Sequence, residues 1–285
     1  VDAETNDPVL YTAYGLTLNA NSVWTKSSSA TWGIGPNCGS MTIIDSNATK
    51  QDLGILSINA SCATINLGSS IKATSITIPT GDTLDLNTYT LTLTGSGTPI
   101  TRVGTFTADT GTVEYTSGSG ATSLSSAAMT GSNKFHNLII NGTGTFGAGV
   151  DITTANDFTI TSGTFTAPSG TLLIGRNFTN GGTYTHNSGT IQFDTLANIS
   201  DIAGATTFHN FTVTTAGKDI EFTAGQTFTI NGLLTLTGTS GAGNDVTLNS
   251  TTGSSSWTIN HQGTENISYT TVTWGACDGA STGIN

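Results

Sequence analysis

"SITIPTGDTLDLNTYTLTLTGSG", residues 75–97, contains three short stretches in which apolar residues alternate with polar ones. Ile76 and Ile78 mark the first, Leu84 and Leu86 the second, and Tyr89, Leu91 and Leu93 the third. Thr80-Gly81-Asp82 and Asn87-Thr88 supply the turns between them. Strands this brief, joined by turns this tight, have little to pair with in their sequence neighbours. A coil satisfies them better: each strand stacks on its counterpart one turn later, and apolar positions then recur with a period near twenty.

The recurrence is present. Phe158 is followed by Phe178, Phe165 by Tyr184, Leu172 by Ile191 and Ile174 by Phe193, at offsets of 20, 19, 19 and 19. Earlier, Leu138 leads to Phe158, Ile140 to Ile160 and Phe146 to Phe165; later, Phe208 leads to Phe228 and Leu248 to Ile267. The predicted interior columns are therefore Leu138, Phe158 and Phe178 in one, and Phe146, Phe165 and Tyr184 in another. From Leu53 to Trp274 there is room for about eleven coils, a stack roughly 50 Å long at about 4.8 Å per strand. A longer repeat overlies the short one. "GTFTADTGTVEYT" at 104–116 returns as "GTYTHNSGTIQFDT" at 182–195, and "KFHNLII" at 134–140 returns as "TFHNFTV" at 207–213. The offset drifts from 78 to 73, as insertions at the corners of a coil would make it.

Composition agrees with such a fold. Only 9% of the 285 residues are charged, and glycine, serine, threonine and asparagine fill most of the remaining polar positions. The formal net charge of −11, with seven scattered lysines and arginines, argues against nucleic acid or an anionic membrane as partner. No apolar run approaches the roughly 18 residues of a membrane-spanning helix, so membrane insertion is not expected. The chain starts at Val1 without a signal peptide, the start expected of a processed secreted protein or an excised segment.

The "TGDTLDLNTYTLTLTG", "GTFTAPSGTLLIGRNFTNGGTYTHNSGTIQF" and "GTENISYTTVTW" stretches resemble the repeats of large secreted bacterial or archaeal surface proteins built as parallel β-helices, over about residues 53–275. That resemblance implies an adhesin, surface-layer or fibre-subunit role outside the cell or on its surface. The expected fold is all-β: a parallel β-helix, or β-solenoid, over residues 53–285, with residues 1–52 as an irregular N-terminal cap or arm.

Several residues bear on chemistry. Asp82, Asp85, Asp109 and Glu114, with Arg102 nearby, are the acids a polysaccharide-cleaving β-helix would need. Glu114 in "GTVEY" becomes Gln192 in "GTIQF", however, so the repeat does without that ionisation and no catalytic residue is assigned. His136 and His209 hold matching places in "FHN", without the further ligands a metal requires. "GAGNDVTL" at 241–248 is a single, shifted copy of a calcium-binding glycine-aspartate pattern; no metal or other cofactor is expected. Threonine pairs such as Thr105/Thr107, Thr183/Thr185 and Thr235/Thr237 suit an ice-binding array, yet by the derived period they fall on different faces. Eight N-x-S/T triplets begin at Asn47, Asn59, Asn141, Asn177, Asn198, Asn210, Asn249 and Asn266, about as many as chance yields in this composition.

The ends carry the functional expectation. A stacked coil leaves an unpaired strand edge at top and bottom, and neither terminus reads as a covering helix. All four tryptophans lie towards the termini, Trp24 and Trp32 in the first part and Trp257 and Trp274 in the last, with Tyr11, Tyr14 and Tyr269 beside them. These seven are either the core of a cap or the candidate anchors for association with other copies of the chain, glycans or other surfaces being the alternative partners. Cys38 and Cys62 lie 24 residues apart, about one coil, which makes them disulfide candidates and leaves Cys277 over.

Overall fold

The computed structural model describes residues 2–3, 10–12, 15–26, 31–35, 38–59, 61–195 and 199–277. It is a β-solenoid of about 11 turns, with parallel coils about 22 residues apart and almost no helix. Two compact units make up the chain, Val1–Val150 and Asp151–Asn285.

In the first unit the stretch that opened the sequence forms one coil. Ser75–Ile78, Thr83–Asp85 and Thr90–Leu93 belong to three different sheets, so each strand turns away from the next and pairs with the coils before and after. On the first face the register runs Trp32, Leu56, Ile76, Ile100; on the second Met41, Ile65, Leu84, Phe106; on the third Ile71, Leu91, Val113, Leu138. All of these are buried, and the intervening residues point outward. Alternation thus becomes columns: each apolar side chain rests on the one a coil earlier, and on the first face Ser57, Thr77 and Thr101 stack outside without the repulsion charges would add.

The corners have their own device. Asn87 adopts a left-handed conformation, φ 50°, which asparagine tolerates better than other L residues. Its Nδ2 donates to the Leu67 carbonyl one coil earlier at 2.8 Å, and its N–H goes to Asp85 Oδ1 at 2.8 Å. In the second unit Asn187, φ 47°, donates to the Ala167 carbonyl in the same way at 3.2 Å.

The second unit repeats the three-strand coil. Phe158 registers with Phe178, then Ile202 and Phe222; Leu172 registers with Ile191, then Phe211 and Leu234. Phe165 registers with Tyr184, their ring centroids 6.1 Å apart. Leu138, Ile140 and Phe146 fall in the first unit and their expected successors Phe158, Ile160 and Phe165 in the second.

Two predicted columns are corrected. Phe208 lies in register with Ile230 rather than Phe228, and Leu248 with Val272 rather than Ile267, which pairs with Leu236. The cause is coil length: Phe208 to Ile230 spans 22 residues and Leu248 to Val272 spans 24, the latter taking in the corner 251–256, so a period of 19–20 drawn through the sequence slips.

Residues 1–52, expected as a cap or arm, supply strands to the same sheets as the coils that follow. Thr31–Ile34 pairs in parallel with Ile55–Ile58, and Gly39–Asp45 with Ala63–Leu67. The period was hard to read there because the first coils are longer: Leu16 meets Ile43, 27 residues on.

Candidate functional site

Glu265–Ser268, Thr270–Val272 and Gly275–Cys277 form the last described coil. Each pairs on one side only, with Leu234–Thr237, Val246–Ser250 and Trp257–His261, and each is the terminal strand of its sheet among the described residues. Leu234 and Val246, both buried, are followed on this coil by Glu265 and Thr270, while two other inward positions stay apolar. Ile267 lies on Leu236 and Val272 on Leu248, both buried, but Ile267 is only half-buried and Val272 is 41% exposed. The interior of the unit reaches solvent here.

Tyr269 and Trp274 flank the Thr270–Val272 strand and are 55% and 49% exposed. Both have left-handed backbone, φ 48° and 57°. Among the described residues the other non-glycine positions with positive φ are Asn21, Ser61, Asn87, Asp109, Asn187 and Ser188, all small and polar. For a bulky side chain this conformation costs about 1–2 kcal/mol, so the two aromatic corners are held there by their surroundings. The Tyr269 carbonyl accepts the Val246 N–H at 2.9 Å, and the Trp274 carbonyl accepts the Trp257 N–H at 3.2 Å. These bonds pin the corner to the coil before it and leave two aromatic side chains standing in solvent.

The other aromatic candidates sit differently. Trp32 is 4% exposed, in the column on Leu56, and Trp24 stacks against it with centroids 4.5 Å apart and planes 12° from parallel. Trp257 is 1% exposed and its Nε1 donates to the Thr273 carbonyl at 3.3 Å. Trp32 and Trp257 are thus core residues rather than surface anchors: the columns are wide enough to take an indole, and alternation places both inward. Tyr11 lies on the strand Leu10–Thr12, with its side chain outside the described residues, as is all of Tyr14.

Cys38 and Cys62 are joined by a disulfide, their Cα atoms 4.9 Å apart. Cys277 ends the strand Gly275–Cys277 in register with Ile259, with its side chain outside the described residues.

The acids are not brought together. Asp82 is buried in a turn and accepts the Ala63 N–H at 2.9 Å; Asp85 and Glu114 stand on different sheets, and Asp109 holds a corner at φ 45°. Glu114 accepts bonds from Thr92 Oγ1 at 3.1 Å and Asn141 Nδ2 at 2.8 Å. Arg102, on the first face, spends its guanidinium on the Gly104 and Ala128 carbonyls, at 2.9 and 2.7 Å, and burial lowers its pKa. Among the described residues no three His, Cys, Asp or Glu side chains are placed to hold a metal ion, and no helix is long and apolar enough to cross a membrane. The threonine pairs divide over several sheets: Thr105/Thr107 lie in the first unit, while Thr183/Thr185 and Thr235/Thr237 lie on different sheets of the second.

Two features went unread in the sequence. His186 stacks on His209, centroids 5.3 Å apart and planes 26° from parallel, and burial followed by the charge of His209 lowers the His186 pKa. The two histidines are 23 residues apart, and a period of 19–20 does not bring them together. Lys218 is fully buried, and its ammonium is pushed down to about 8 by burial, although Asp219 and Asp194 pull the other way. No local pattern signals a buried lysine. No family model, curated protein or solved structure matches the chain.

Proposed function

We propose that this chain is a non-enzymatic structural subunit of an extracellular filament or cell-surface layer, and that its copies associate end to end through coil edges. One observation carries the reading: columns buried at Leu236 and Leu248 run on to half-buried Ile267 and exposed Val272 on the last described coil, beside Tyr269 and Trp274. A further coil laid on that edge would bury them and pair the free N–H and C=O groups of three parallel strands. The opposite end of a coil stack is a different surface, so the contact is heterologous and grows into an open filament unless it closes. The chain's low charge density leaves little repulsion to oppose it.

Exposed Tyr269 and Trp274 also favour a second reading, an adhesin segment that stacks sugar rings on these side chains. Electron microscopy and sedimentation of the full chain separate the two. Filaments lengthening with concentration, and their loss in Val272→Asp, support assembly. A chain that stays monomeric at high concentration refutes it, and if that monomer binds oligosaccharide with quenching of tryptophan fluorescence, the adhesin reading replaces it.

A further inference from the structure

Six of the eight N-x-S/T triplets consist wholly of described residues, and the fold treats them very differently. Asn47 is buried, and its Nδ2 and N–H both donate to Asp45 Oδ1, at 2.8 and 3.0 Å. Asn210 is half-buried; its Nδ2 donates to Thr190 Oγ1 at 3.3 Å and its Oδ1 accepts the Leu233 N–H at 2.8 Å. Asn141 and Thr143 are exposed, as Asn266 and Ser268 are, but Asn141 gives its Nδ2 to Glu114 at 2.8 Å. Asn177 and Asn249 are half-buried, with Oδ1 accepting the N–H of Asp201 at 3.0 Å and of Ser250 at 2.8 Å.

Asn266 stands apart. It lies on Glu265–Ser268, a terminal strand, in register with outward-facing Thr235, while Ile267 takes the inward place on Leu236. Two-residue alternation puts Asn266 and Ser268 on the same outward face, and both are exposed. The triplet Asn266-Ile267-Ser268 thus presents its amide and its hydroxyl together, on an extended strand whose other edge is open among the described residues.

We propose that Asn266 is the N-glycosylation acceptor among these six triplets, the donor being a polyprenyl-phosphate-linked oligosaccharide. In the transfer, Asn266 Nδ2 forms a bond to the anomeric carbon, the bond from that carbon to the phosphate oxygen breaks, and the polyprenyl phosphate leaves with the electron pair. One amide proton passes to a base. At Asn47 and Asn210 the same reaction would compete with the Nδ2 bonds to Asp45 Oδ1 and Thr190 Oγ1 and would drive a glycan into packed structure. The glycan on Asn266 projects sideways from the outer face, opposite Ile267, and the assignment holds whether or not the chains assemble.

The test incubates the folded full chain with an oligosaccharyltransferase and its lipid-linked oligosaccharide, alongside a synthetic peptide of residues 263–270, and maps the product by peptide mass spectrometry. The expected result is occupancy at Asn266 about tenfold or more above Asn47 and Asn210, following the hydrogen bonds those two must lose. Asn266→Gln and Ser268→Ala should each abolish the modification of that peptide segment. Modification of the synthetic peptide but not of Asn266 in the folded chain overturns the proposal, as does equal occupancy at any of the other five triplets.

Discussion

Phe222 and Trp257 stack nearly face to face, centroids 4.3 Å apart and planes 19° from parallel, though they belong to different faces of the coil. Phe228 closes the group at 4.9 Å from Phe222. The stack fills the interior just before the last described coil, where the corner 251–256 has lengthened the turn. Trp257→Ala should therefore lower stability by about 3–5 kcal/mol, the range for emptying a large aromatic site. Trp257→Phe keeps the stacking partner and loses the bond to the Thr273 carbonyl, so it should cost about 1 kcal/mol from that bond, plus the lost volume. Urea unfolding followed by circular dichroism distinguishes the two.

Asp45 is a fully buried carboxylate that organises a corner of the first unit. Its Oδ1 accepts from Asn47 Nδ2 and N–H, its Oδ2 accepts the Gln51 N–H at 2.7 Å, and Lys50 Nζ bonds the Asp45 and Asn47 carbonyls at 2.6 and 2.9 Å. Asp45→Ala strands three donors away from water, and the expected loss is on the order of 3 kcal/mol. Asp45→Asn keeps one acceptor oxygen and should lose less. A loss in Asp45→Ala no larger than that of an exposed threonine-to-alanine control would show that the corner does not depend on the carboxylate.

Reduction of the Cys38–Cys62 disulfide opens a link across 24 residues, and the chain-entropy account assigns about 3 kcal/mol to a loop of that size. Reducing agent should lower the unfolding midpoint of the wild type and leave Cys38→Ser/Cys62→Ser unaffected. Equal midpoints with and without reductant in the wild type would contradict it.

Acid should weaken the second unit through His186. Burial and His209 hold its pKa below the ordinary 6.5, so the folded chain binds this proton less readily than the unfolded one. The stabilisation is complete above 6.5 and is lost as pH falls through the lower folded value. Ser188 N–H donates to His186 Nδ1 at 3.0 Å, a bond that protonation of Nδ1 ends. The urea midpoint should fall over that window, and His186→Gln should flatten the fall. An unchanged slope in that variant would assign the dependence to other groups, though not to Glu221, whose pKa is raised by burial and by Asp201 and Asp219 so that acid favours the folded chain there.

Which side chains point inward was legible along much of the chain, because a half-buried strand must alternate and the quoted stretch does so three times in one coil. Trp32 and Trp257 show where that reading fell short. Their nearness to the termini suggested surface anchors, but alternation within "TWGI" and "WTINH" already placed them on the inner side. The exposure of Tyr269 and Trp274 has no such local signature. It follows from their place on the last described coil.

The sequence by itself determined the architecture: short neutral strands, turn residues at every corner and a period near one coil leave stacking as the way to bury the alternating Leu, Ile and Phe. The tertiary structure alone decided the registers around the long corners, the Phe222–Trp257 and His186–His209 stacks, the burial of Lys218, and which asparagine amides stand free. These depend on which residue of one coil comes to rest on which residue of the next, and that pairing is set by the number of residues each corner absorbs, a quantity that hydrophobic alternation along the chain does not encode.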